Sequence, residues 1–482
     1  MLTIQTNATH RTCDGLTRRD FVRIGALGVG GLTLSQMLAF QAAAAGKRIE
    51  FVRDRSVVLL YLSGGASHIE TFDPKMNAPA EIRSLTGEVP TNLSGVTFGG
   101  TFPELAARAD KFAVVRSFQH PVGDHDAAHV HVLSGGSRLS GKSEKGFGLG
   151  ACYARLRGTN HPESGLPTNI FLGEQEVDGQ YNTEKGRALR GSAPGSLGQS
   201  FAPLLHETAT PKVEKGNAAA PKQDSLATNM RLNLPADRLD DRRQLLSRLD
   251  SLRRDVDASG AMDGLDKFHA QAANLVLGGA ADAFDFRKES RALRERYDTS
   301  HIQIGHKAFR KSTLGQQMLV ARRLCEAGCG FVTVQSSGWD MHADGNNPSI
   351  VRGMEMLGRS VDKAVSAFLD DLSERGLSDK ILLVITGDFG RTPKVNSKGG
   401  RDHWSRLGTL AFAGGGLRMG QVVGQSARGA DVPATEPISP GQMMGTIMHS
   451  LFDVGQLRLV AGAPRELVSL LESGQPIREL MA

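Results

Sequence analysis

The chain has 482 residues, 40% of them hydrophobic and 22% charged, which is apolar mass enough for one large globular domain with an insertion, or for two domains. A net charge of +6 is small for that length and is not gathered into one block, which argues against a surface built for nucleic acid. Glycine is abundant at 57 residues, as strand exits and tight turns would require.

The N-terminus carries Thr17-Arg18-Arg19-Asp20-Phe21-Val22-Arg23, a twin-arginine core, followed by an apolar, glycine-containing run from Ile24 to Phe40. Ala42–Ala45 offer small residues to a signal peptidase, so residues 1–45 read as a cleaved twin-arginine signal peptide. The apolar run is shorter than the roughly 20 residues a membrane span needs, and no other stretch is long and apolar enough. The expectation is a protein carried by the twin-arginine translocase to a periplasmic or extracellular location, with no stable membrane span and no nucleic-acid partner. Export in the folded state suits a protein that takes up a metal or cofactor first. Without Cys13, which lies in the signal, Cys152, Cys325 and Cys329 remain, an odd number that builds no disulfide framework. Cys325 and Cys329 are four apart on a predicted helix, where they read as small buried side chains.

In chain order, Ser56–Leu62 is a continuous β-branched apolar run and predicts a strand covered on both faces. It opens into the glycine turn Ser63–His68, with Glu70 and Asp73 following. A helix is expected at Phe102–Ala109 and a strand at Phe112–Arg116. That strand leads into His120–His131, which holds four histidines and two aspartates within twelve residues. A helical pattern begins at Asp126 and puts His125 and His129 one turn apart on one face. Phe147–Arg157 reads as a helix and Thr168–Leu172 as a strand. From about residue 173 to Pro235 the pattern is that of a loop, and 238–256, 265–276, 290–297 and 314–327 are helical. Residues 173–312 therefore read as a loop-rich and helical insertion in an α/β domain spanning 50–482. The chain returns to the sheet at Gly330–Gln335, followed by a long amphipathic helix at Val351–Arg375 and a strand at Ile381–Thr386. Strands at Gly408–Ala413 and, as a short edge, Gln421–Gly424 precede a helix at Pro440–Phe452. Buried strands alternating with helices predict an α/β fold with a mostly parallel central sheet flanked by helices.

Ligands gather at the carboxyl ends of strands in such sheets. Four exits carry suitable groups: His68 with Glu70 and Asp73, His125 with His129, Asp340 with His342, and Asp388 followed by His403. Carboxylates and imidazoles together suit one or two divalent ions, without separating zinc, manganese and calcium. Asp340, His342, Asp388, His403, His68 and Asp73 are the candidate ligands. Two ions about 4 Å apart can bind and polarise an oxyanion ester. His125 and His129 are candidates for proton transfer to a leaving group, and Arg391 for holding a substrate anion, with Arg401 a second possibility. Asp402 is placed to orient the imidazole of His403, and Trp339 and Trp404 read as packing walls.

The twin-arginine signal, LSGGASHIETFDPK, a histidine run ending HVLSGG, GWDMHADGN and TGDFGRTP…GRDHW occur in that order. Together they resemble the uncharacterised family known as domain of unknown function 1501, common among exported planctomycete proteins, over essentially the whole mature chain. That family looks like a distant branch of the alkaline phosphatase and sulfatase superfamily. The resemblance implies that fold, and Asp340, Asp388 and His403 as metal ligands. It places Asp124–Gly135 where the superfamily carries its nucleophile, and Asp126 or a nearby histidine stands there. Ser63 and Gly64 occupy the first exit instead of an aspartate, Phe389 follows Asp388 where an Asp-His pair is usual, and His342 lies two residues after Asp340 instead of four. No Cys-x-Pro-x-Arg motif is present. The function expected is an exported metal-dependent hydrolase of phosphate or sulfate esters, on a small molecule or a glycan. The alternative is a non-catalytic binding protein on the same fold that takes an anionic glycan or a partner protein.

Overall fold

The computed structural model describes residues 51–137, 146–174, 179–208, 213–214, 217–218, 280–457 and 474–481. The signal at 1–45 and the helices expected over 238–256 and 265–276 lie outside the described residues.

Eight strands form the central sheet: β1 (Ser56–Leu62), β2 (Phe112–Val115), β3 (Asn169–Glu174), β4 (Leu204–Thr208), β5 (Phe331–Ser336), β6 (Ile381–Gly387), β7 (Leu410–Gly414) and β8 (Gln421–Val423). Their spatial order is β8-β2-β7-β6-β1-β5-β3-β4. β1 pairs in parallel with both β5 and β6, and β3 continues the parallel set to β4. β7 alone runs against its neighbours, pairing antiparallel with β6 and β2. The sheet is therefore mostly parallel, as the continuous apolar runs predict, with one reversed strand.

The pleat divides β1 between two cores. Val58, Leu60 and Leu62 pack on one face with the helix Leu314–Glu326 and the segment Ile350–Glu374. Val57, Leu59 and Tyr61 pack on the other with the helices His125–Leu133, Leu149–Arg157 and Pro440–Leu451. Helices thus cover both faces, and the polar ends of the strands are the place left for a site. The long helix expected at 351–375 runs from Ile350 to Glu374 with one π-type turn at Met354–Gly358.

Two expectations change. Residues 179–191, read as loop, are a helix packed against His125–Leu133. Its three glycines and polar composition hide the apolar periodicity on which helix recognition depends. The Leu314–Glu326 helix stops before Cys329, so Cys325 and Cys329 do not share a helical face. Both are buried free thiols in the core, as is Cys152.

Candidate metal centre

β1, β5 and β6 are adjacent and parallel, so their carboxyl ends open side by side. The turn after β1 is Ser63-Gly64-Gly65, with φ of +105° at Gly64 and +85° at Gly65. A Cβ on Gly64 would lie 2.6 Å from the Asp340 amide nitrogen, so only glycine fits where the first exit meets the exit of β5. The Gly64 N–H donates to Asp388 Oδ1 at 2.9 Å, tying the first exit to that of β6.

His125 stands between the two aspartates. Its Nδ1 is 2.5 Å from Asp388 Oδ2, and its Nε2 is 3.4 Å from Asp340 Oδ2. His129, one turn further along the same helix, is fully buried with Nε2 3.5 Å from Asp388. On the other side of Asp340, His342 Nε2 is 2.9 Å and His403 Nε2 3.5 Å from Oδ1, and those two imidazole nitrogens are 2.9 Å apart. Two groups of possible ligands result, His125–His129–Asp388 and His125–Asp340–His403, each with its ligand atoms within 4.8 Å of one another.

The electrostatics favour a cation. Burial opposes the charge on Asp340, yet Arg391 and the surrounding imidazoles hold its carboxyl far below the usual carboxylate range. Burial likewise opposes the charge on Asp388, and His129, His125 and Arg391 reverse it. His129 is pushed down to about 4 by burial, so its imidazole is neutral at pH 7 and has lone-pair nitrogen to offer. His125 is pushed up to about 9: burial lowers it, and the two aspartates more than compensate. His125 Nε2 and both nitrogens of His129 have no hydrogen-bond partner. Buried polar atoms without partners are costly, and a bound ion would satisfy these. A bound divalent ion would displace the proton that His125 holds between the aspartates, and the donor set then fits one ion through His125, with Asp340, His342 and His403 left for a second.

The remaining candidates separate. Arg391 is fully buried and directs its nitrogens inward, to the carbonyls of Gly64, Gly65 and Arg401 and to Asp340 at 2.5 Å. That arrangement positions Asp340 and leaves little with which to hold a substrate anion. Arg401 is equally committed, to Glu70 at 3.0 Å and to the carbonyls of Ile82, Arg83 and Pro393. Asp73 does not join the cluster: it bonds Ser426 and pairs with Lys75 at 3.4 Å and Arg116 at 3.5 Å. His68 is buried in neither ligand group, with Nε2 donating to the Ala430 carbonyl at 3.0 Å. Asp126, at the expected nucleophile position, is exposed and paired with Arg187 and Arg190. Asp402 orients His342 instead of His403, through Nδ1 at 2.9 Å. Trp339 is a buried wall as expected, whereas Trp404 lies half-buried with its indole N–H on the Asp431 carbonyl. Phe389 is the inner wall, its ring 4.6 Å from that of His125 and 4.7 Å from that of His403.

Three groups were not singled out by sequence. His120 Nε2 donates to the Asp388 backbone carbonyl at 2.7 Å, so backbone and side chain of that residue are both held. Tyr61 packs its ring against His129 and buries an unpartnered hydroxyl. Glu184, on the helix 179–191, is buried and accepts from the Gly338 N–H at 2.9 Å. The placement of Glu184, Arg187 and Arg190 at intervals of three was the one sequence signal for that helix face.

Residues 54–481 match the family model described as "Protein of unknown function (DUF1501)", and the chain belongs to that family. No curated protein matches the chain. Among solved structures it is similar to the lipoteichoic acid synthase LtaP from Listeria monocytogenes, at 9% identity and TM-score 0.36 over 85% of this chain and 76% of that one. It is also similar to the phosphonate monoester hydrolase SpPMH from Silicibacter pomeroyi, at 11% identity and TM-score 0.35 over 82% and 73%. A third likeness is to alkaline phosphatase from the Antarctic bacterium TAB5, at 10% identity and TM-score 0.32 over 76% and 94%. Likenesses of this degree carry no argument about the site, which stands on its own geometry.

Proposed function

We propose that the protein is a metal-dependent hydrolase of phosphate or sulfate esters, acting on a small molecule or a glycan. The observation that carries this reading is a pair of donor groups sharing His125 at three adjacent strand exits, with the buried nitrogens of His129 unpartnered. Asp388, His129 and His125 would hold one ion, and since a neutral His125 has a single lone pair, a second would rest on Asp340, His403 and His342. Bound divalent ions supply charge to polarise an ester oxyanion and lower the pKa of water. The chain's own residues do the rest. Arg391 fixes the rotamer of Asp340, Asp402 sets the tautomer of His342, and His120 anchors the backbone of Asp388. Phe389 and Tyr61 keep the inner side of the cluster dry.

The twin-arginine sequence supports export, by the twin-arginine translocase, to the periplasm or beyond. Among the described residues no helix is long and apolar enough to cross a membrane.

A second reading is a binding protein on the same fold, taking an anionic glycan or a partner protein. It is favoured by one observation: Asp126 is turned out to Arg187 and Arg190 instead of toward the donor groups. Elemental analysis of the purified protein, followed by turnover of aryl phosphate and aryl sulfate esters with added zinc or manganese, separates the two. The hydrolase reading expects bound metal and metal-dependent turnover of one ester class. Metal-free protein without turnover would overturn it and favour the binding protein.

A further inference from the structure

A second opening lies on the carboxyl edge of the sheet, away from the donor groups. β8 runs parallel to β2, and β2 and β6 are both antiparallel to β7 between them, so all three end on one edge. At the ends of β2 and β8 is a cavity of about 720 Å³, within the range that holds a small ligand. Among its lining residues Ser117 is fully buried, with its hydroxyl unpartnered. Gly424, at φ of +65°, keeps that place clear: a Cβ there would run into the Ser117 hydroxyl and lie 2.9 Å from that of Thr435. The walls are fixed by the chain itself. On one side Ile477 and Leu480 anchor the tail in the core, the Ile477 N–H bonds the Thr446 hydroxyl at 2.9 Å, and Gln421 Nε2 donates to the Glu479 carbonyl at 3.0 Å. Opposite, the Ile438 N–H bonds the Ser117 carbonyl at 2.9 Å, and Ser439 and Gln442 cap each other at the start of the Pro440–Leu451 helix. So held, the tail presents Arg478 and Glu479 to the opening, and the facing loop presents Glu436. Among the described residues none of these three charges is paired.

We propose that this cavity binds a neutral sugar unit. Two carboxylates against one guanidinium disfavour an anion, so a phosphate or sulfate group is not the occupant. The apolar lining residues Val423, Ile438 and Ile477 are buried in the core and leave little surface for an apolar ligand. Hydroxyl, amide, carboxylate and guanidinium groups converge instead, and they match a molecule rich in hydroxyls, each of which donates and accepts. The site goes beyond the hydrolase reading, because sugar binding here needs neither metal nor turnover. It is nonetheless placed to serve a glycan whose ester reaches the metal centre. β2 lies two strands from β6, roughly 10 Å away at about 4.8 Å between neighbours. Ser117 stands three residues before His120, which bonds the Asp388 carbonyl.

The test is titration calorimetry of the full protein with neutral trisaccharides of glucose, galactose and mannose, with the matching monosaccharides and with inorganic sulfate, before and after treatment with a chelator. Arg478→Ala and Glu479→Gln alter exposed side chains outside the donor groups and should keep fold and metal content, checked by circular dichroism and elemental analysis. The expected result is saturable binding of a neutral sugar that survives metal removal. Each variant should weaken it by at least about 10-fold, since each loses a hydrogen bond to a charged group. A trisaccharide that binds more tightly than its monosaccharide marks a subsite for a glycan, and equal binding marks a site for free sugar; both uphold the cavity. No binding of any sugar, binding untouched by both variants, or binding lost with the metal would each overturn the proposal. So would saturable sulfate binding that the variants abolish. Sugar binding without ester turnover would uphold this site while the hydrolase reading falls.

Discussion

Two clusters of charge lie at the strand ends, and they behave oppositely. In the first, Glu70 accepts from Arg401, the Ser84 and Thr86 hydroxyls and the backbone N–H groups of Leu85 and Thr86, and Arg401 spends its remaining donors on carbonyls. Every strong group there is answered from within the chain. In the second, Asp340 and Asp388 gather His125, His129, His342 and His403 and leave three imidazole nitrogens without a hydrogen bond, two of them only in loose ion pairs with the aspartates. A saturated cluster holds the fold, and an unsaturated one waits for something from outside. Both follow strands, but the second is also open on one side, where Asp340, His342 and His403 are half-buried.

The largest effects should separate the clusters outright. Asp388→Ala removes the carboxylate common to Gly64, His125 and His129, and is expected to abolish metal binding and lower turnover by at least about 1,000-fold, with the fold retained. Elemental analysis and circular dichroism check it, and full metal occupancy in the variant would refute the ligand assignment. Arg401→Ala should do the reverse, leaving Glu70 buried and unpaired at a cost of about 3–5 kcal/mol. Denaturant unfolding measures that cost, and the comparison breaks if stability is unchanged while metal is lost. Gly64→Ala falls between the two, because it forces a side chain into positive φ and against the Asp340 amide. A stability loss of roughly 1–3 kcal/mol together with weakened metal affinity is expected, and an affinity equal to the parent's would show that the exits are not coupled through this turn.

The smallest effect concerns His68, which borders the saturated cluster. Burial pushes its imidazole down to about 4 in the folded chain, against 6.5 when unfolded. Below pH 6.5 the unfolded chain takes up a proton that the folded chain refuses, so stability falls as pH falls through 6.5 toward 4. Between pH 7 and pH 5 this one group removes about 2 kcal/mol. His68→Gln should retain the hydrogen bond to Ala430 and flatten that part of the pH profile. An unchanged slope in pH-dependent unfolding would show that His68 is not the group responsible.

The sheet was legible because strands covered on both faces announce themselves as unbroken apolar runs: β1, β5 and β6 lie where Ser56–Leu62, Gly330–Gln335 and Ile381–Thr386 place them. The facing of His125 and His129 was legible too, since helical spacing alone sets it. The reversal of β7 was not, because an apolar run carries no direction. Nor could the sequence distinguish Asp388 from Asp73, or show that Arg391 and Arg401 are both committed inward. Those distinctions depend on partners hundreds of positions away, such as Gly64 for Asp388, 324 residues apart. Glu184 escaped notice for a different reason. Its helix carries too little apolar periodicity to be recognised, and a lone glutamate in a polar stretch looks like any solvated charge.

The inward commitment of Arg391 has a consequence for motion. One guanidinium joins the carbonyls of Gly64 and Gly65, the carboxylate of Asp340 and the carbonyl of Arg401, so the exits of β1, β5 and β6 are fastened at one point. No single exit can swing open by itself, since releasing one strips donors from the others. The centre should therefore loosen only together with the sheet beneath it, and the amide hydrogens of Gly64 and Gly338 should exchange with solvent as slowly as those in the middle of β1.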